Sequence, residues 1–166
     1  MLPLFITLIF CGTMLYAAIS DLLFMKISNI ACLFLALSFI LLAPFAGLPL
    51  QTILLHLAAG TAALVICFGL FMLNAMGGGD AKLIAATAIW TGFSFSLGQY
   101  LLISAIAGGI LTLCILLMRK FTNRDKIKNI AFLYRLSDPA KGIPYGIALA
   151  IAGLWVFPLL SITDKF

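Results

Sequence analysis

Asp21 and Asp80 are the residues of this chain best placed to do chemistry. They are the only acids in its apolar stretches: glutamate is absent, and Asp125, Asp138 and Asp164 lie in a basic loop or the polar tail. A carboxylate in a membrane helix costs about 2.5–3.5 kcal/mol on insertion scales at the helix centre, so two of them call for a purpose. If they meet, the simplest chemistry is an aspartyl pair sharing one proton. The ionised member draws a proton from water, and the protonated member hydrogen-bonds a scissile carbonyl and stabilises the developing oxyanion. Repulsion between the two, with partial desolvation, keeps both forms present.

Asp80 closes the run Gly77-Gly78-Gly79-Asp80. Glycine offers no side chain to block a substrate backbone and tolerates φ > 0, so a tight approach to a helix start is expected there. The macrodipole at a helix N-terminus favours an ionised Asp80. Asp21, at a helix C-terminal end, lacks that help, so Asp80 is expected as the base and Asp21 as the proton-holding partner. Blander readings stand beside this one. Asp21 could be a helix-end residue paired with Lys26, and the glycine run a loop with an N-cap. The two carboxylates could also form a proton or cation site in a small transporter or channel. A phosphate loop is disfavoured, because Gly77-Gly78-Gly79-Asp80-Ala81-Lys82 lacks a Gly-Lys-Ser/Thr ending. Cys11, Cys32, Cys67 and Cys114 are isolated in apolar segments without CxxC spacing, so neither zinc nor a disulfide framework is expected, and no cofactor.

These acids have to be positioned by membrane helices. The chain is 64% hydrophobic and 9% charged over 166 residues, with mean hydropathy +1.24, and apolar runs of this length are transmembrane helices. Leu2 to Ser20 makes a first, uncleaved span. The 53 uncharged residues from Ile27 to Gly79 are punctuated by Pro44, Gly47 and Pro49, which predicts spans near 29–46 and 51–75. Leu83 to Met118 breaks around 91–99 into a fourth and a fifth, and Ile143 to Ile162 supplies the sixth.

Seven of the ten basic residues fall between Arg119 and Lys141. That clustering reads as a cytoplasmic topology signal rather than a nucleic-acid face. With six spans and both termini outside, Lys26, Lys82 and the cluster share the inner side; removing the short fourth span would turn the cluster outward. The expected fold is therefore an all-α polytopic membrane protein, one membrane-embedded domain over residues 1–166 with a basic cytoplasmic loop at 119–142. In that layout Asp21 and Asp80 lie at one depth, although 59 positions separate them.

The motifs resemble a known family. Ser20-Asp21 followed by Lys26-Ile27-Ser28-Asn29 resembles the first-aspartate motif of type IV prepilin peptidases, and Gly77-Gly78-Gly79-Asp80-Ala81-Lys82-Leu83 resembles their GxGD signature. Ile143-Pro144-Tyr145-Gly146-Ile147-Ala148 is similar to the element opening the last helix in the small forms that serve tight-adherence pili. The resemblance implies an inner-membrane aspartyl endopeptidase that removes a short basic leader from prepilins or pseudopilins on the cytoplasmic side. Asp21 and Asp80 match its catalytic aspartates. Gly77, Gly78, Gly79, Lys82, Asn29, Pro144, Tyr145 and Gly146 become residues that shape the site or bind substrate. Ser28 stands where many members have proline, and the cysteine-rich domain of larger members is missing, so cleavage without methyl transfer is expected.

Three further expectations concern the periphery. Lys82 reads as an interfacial topology anchor. Residues 126–136 place Ile127, Ile130, Leu133 and Tyr134 at helical spacing among cations, which predicts an interfacial helix on anionic lipid. His56 reads as an interface residue at the outer end of the third span.

Overall fold

The computed structural model describes residues 1–121, 131–138, 142–160 and 162. Among these the secondary structure is helical, with no strand: α1 (Leu2–Phe24), α2 (Asn29–Phe45), α3 (Leu50–Met72), α4 (Gly78–Thr91), α5 (Phe95–Phe121), α6 (Ala131–Leu136) and α7 (Gly146–Val156), the last running into a 3-10 turn, Phe157–Leu159. α1, α3 and α5 are long and apolar enough to cross a membrane, while α2 and the α7 segment are shorter apolar helices. Their outward surface is itself apolar: Leu4, Leu8, Leu54, Val65, Leu102 and Leu113 all stand exposed. Such a surface is suited to hydrocarbon and not to water. The chain is an all-α membrane protein.

The breaks between helices follow local chemistry. Pro3 sits in the first turn of α1, where its missing N–H costs no hydrogen bond. α1 runs past Ser20 and stops at Met25, a left-handed C-cap (φ 55°) whose N–H donates to the Asp21 carbonyl at 2.8 Å. Ser20 Oγ donates to the Lys26 carbonyl across this turn. Asp21 is thereby held one turn before the stop. Pro44 lies in the last turn of α2, and Gly47 (φ 74°) reverses the chain toward α3. The expected break over 91–99 is narrower: Gly92 (φ 62°) ends α4, and α5 resumes at Phe95.

α4 is the hub, packing against α3, α2, α7 and α5, while α1 packs on α7 and α2. Its Ala81, Leu83–Ala88, Trp90 and Thr91 are buried, and so many small residues let neighbouring backbones come close. Trp90 is fully buried, edge-on to Phe10 (5.2 Å) and Phe39 (5.6 Å), and its indole N–H donates to the Leu35 carbonyl at 2.8 Å. His56 corrects its sequence expectation. It is buried, stacked on Phe39 at 4.9 Å, with Nδ1 2.8 Å from the Ile89 carbonyl. A carbonyl acceptor on α4 offsets the cost of burying the ring, so His56 pins α3 to α4 and does not sit at an interface.

Candidate active site

At one end of the bundle, the α1–α2 turn, the α3–α4 loop, α5 and the start of α7 enclose a cavity of about 770 Å³. Asp21 and Asp80 both line it. Residues 59 positions apart, expected only to share a depth, therefore share one chamber.

Asp21 is 6% exposed. Its Oδ2 accepts the Gly146 backbone N–H at 2.6 Å. Gly146 opens α7, where the first amides of a helix have no internal partner, so the carboxylate satisfies a donor that α7 would otherwise waste. A Cβ on Gly146 would lie 2.8 Å from Asp21 Cβ and 2.9 Å from its Oδ2, so close approach is the reason for glycine here.

Asp80 is the third residue of α4, counted from Gly78, and it precedes the apolar run that starts at Leu83. It is half-buried. Its carboxylate turns back on the Gly77 backbone amide, as the third-position acid of a capping box does. A Cβ on Gly77 would meet Asp80 Oδ2 at 2.6 Å. Asp21 thus holds the Gly146 amide and Asp80 the Gly77 amide, and each carboxylate reaches the cavity from its own helix end.

The other sequence candidates divide. Gly77, Gly78, Gly79, Asn29 and Tyr145 line the cavity. None of the three glycines has positive φ, so their value is space rather than backbone freedom: a Cβ on Gly79 would press on Ile27 Cβ at 3.2 Å, and one on Gly78 on the Phe71 ring at 3.3 Å. Lys82 is not part of the lining, but its Nζ donates to Asn29 Oδ1 at 2.8 Å. That bond ties the start of α4 to the start of α2, which goes beyond the anchor expected of Lys82. Pro144 is buried and outside the lining, in the turn that precedes Gly146. Tyr145 places its ring against Gly108 of α5, where a Cβ would come within 2.7 Å, and its hydroxyl is 2.9 Å from Thr112 Oγ1.

Sequence reasoning missed Ser104, Ala105 and Leu101, which form the α5 wall; their apolar setting carries no signal. It also missed the inward use of two cations. Arg119 donates to backbone carbonyls of Leu136 and Gly142, and Arg135 to that of Leu23. Of the stretch 126–136 expected as a helix, α6 covers Ala131–Leu136, and residues 126–130 lie outside the described residues.

The cavity lies within a helical membrane bundle and is lined by two carboxylates and three successive glycines. The model of the type IV leader peptidase family matches residues 8–114, more than half of the chain and inclusive of both aspartates. The chain belongs to that family, and is by membership a membrane protease. Tyr145 and Gly146 lie beyond the matched residues. Neither the curated proteins nor the solved structures yield a match.

Proposed function

We propose that this protein is an aspartyl endopeptidase that cuts the N-terminal leader from a prepilin or pseudopilin at the cytoplasmic face of a bacterial inner membrane, as a single peptidase unit over residues 1–166. The observation that carries this reading is that Asp21 and Asp80 line one cavity. Asp21, receiving the Gly146 N–H, is the ionised member and takes a proton from water. Asp80, protonated, donates its proton to the scissile carbonyl oxygen as the water oxygen attacks the carbonyl carbon. The tetrahedral intermediate then breaks its C–N bond: the leaving amine takes the proton from Asp21, a hydroxyl of the intermediate returns one to Asp80 as the C=O re-forms, and the carboxyl product departs. The glycine-lined wall leaves room for an extended substrate backbone, which at membrane depth needs such a protein-lined, wet chamber. The basic loop at 119–142 is the part of this reading that rests on anionic lipid.

The test is co-expression with a tagged small prepilin, with product size compared for wild type, Asp21→Asn and Asp80→Asn at matched protein levels. Asparagine keeps the shape and removes the shared proton. Wild type is expected to shorten the prepilin, and each variant to lose at least ~10³-fold in rate. Cleavage persisting in either variant removes that aspartate from the mechanism. Wild type that leaves prepilins intact, yet moves protons or cations across sealed vesicles, would make the pair a transport site.

A further inference from the structure

The hydrogen bond between Gly146 N–H and Asp21 joins two segments that are each held from outside the cavity. On one side, Arg119 near the end of α5 donates through Nε to the Leu136 carbonyl at 2.9 Å and through Nη2 to the Gly142 carbonyl at 3.2 Å. Gly142 is four residues before Gly146 and itself lines the cavity. On the other side, Arg135 of α6 donates to the carbonyl of Leu23, two residues beyond Asp21. Leu23 O is among the last carbonyls of α1, which have no partner within the helix, and a cation there also suits the helix dipole. Leu136, which accepts from Arg119, directly follows Arg135. One short helix therefore links both anchors.

We infer that Arg119 is a positioning residue of the active site: its guanidinium clamps residues 142–145, the arm that delivers the Gly146 amide to Asp21, with Arg135 fixing the α1 side of the same contact. This rests on the aspartyl-pair reading above. The chemistry suits arginine in particular. A planar fork with separated donors engages two carbonyls at once, whereas the lysine ammonium is a single point charge on a flexible stem. Arg119 touches neither aspartate in this scheme. It acts through the arm, and a displacement of about 1 Å at a catalytic group costs on the order of 10²-fold in rate.

The experiment uses the full-length protein in detergent with a purified tagged prepilin. Arg119→Gln is expected to lower kcat by roughly 10–100-fold with KM nearly unchanged, and Arg119→Lys to recover only part of the loss. Because Arg119 acts through the Gly146 contact, adding Arg119→Gln to Gly146→Ala should cost little beyond Gly146→Ala alone. Fully additive losses, or a loss confined to KM, would overturn the assignment; the second would make Arg119 a substrate-docking residue. A readout independent of activity is hydrogen exchange at the Gly146 amide. Protection should fall in Arg119→Gln while the amides of α3 and α4 keep theirs, and unchanged protection overturns the inference. If Arg119→Gln does not fold, the same exchange measurement on Arg119→Lys decides it. A wild-type protein that leaves prepilin uncut would refute the prepilin-cleaving reading, and the exchange result would still decide whether Arg119 holds the arm.

Discussion

Asp21 and Asp80 face one cavity from two different helix ends, and the proposed passage of a proton between water, carboxylates and peptide makes cleavage depend on pH at both ends of its range. Prepilin cleavage should decline on the acid side as Asp21 gains a proton and on the alkaline side as Asp80 loses its own, by up to tenfold per pH unit on each limb. A profile that rises steadily to pH 9 would contradict Asp80 as the proton donor.

Helices meet in this protein through missing side chains as much as through large ones. Gly60 of α3 faces α4 so closely that a Cβ would lie 2.2 Å from Ile89 Cγ1 and 3.1 Å from the Ala85 carbonyl. The Ile89 side chain can rotate, but a backbone oxygen on a buried helix cannot easily give way. Gly60→Val should cost about 1–3 kcal/mol by overpacking, read as a lower Tm in detergent. Gly109 of α5 has no heavy atom within 4 Å of its would-be Cβ, and Gly109→Val should leave Tm nearly unchanged; equal losses would show that helix propensity, not the α3–α4 contact, dominates. Most helices were legible from apolar runs and the punctuation of Pro44, Gly47 and Gly92, because these act locally. His56 was not, since the Phe39 ring and the Ile89 carbonyl that accommodate it come from other helices. Nor was the amide of Gly146, although Pro-Tyr-Gly at a helix start was a signal that something small was wanted there. The contact with Asp21 spans 125 positions, and periodicity holds no information at that range.

On the scale of the whole molecule, sequence placed both aspartates at one depth, and the fold adds that they line one chamber. The orientation of that chamber rests on the positive-inside argument: the Arg119–Lys141 cluster should be cytoplasmic. Single cysteines introduced at the exposed Tyr134 and at the exposed Ser94, in a background freed of Cys11, Cys32, Cys67 and Cys114, test it in intact cells with a membrane-impermeant thiol reagent. Position 94 should react from outside and position 134 only after lysis, and the opposite pattern would invert the protein. α4, the buried hub, has a further consequence. Its 14 residues extend about 21 Å at 1.5 Å per residue, against a hydrocarbon layer of about 30 Å. With its Gly92 end level with one surface, its Gly78 end stops about 9 Å short of the other. On the proposed peptidase reading, the glycine run and its cavity would then form a wet dimple sunk into the lipid, and a scissile peptide bond would have to dip below the headgroups to reach the carboxylates. Bilayer thickness would become part of substrate selection, because it would set how far a leader must descend before it meets water and acid together.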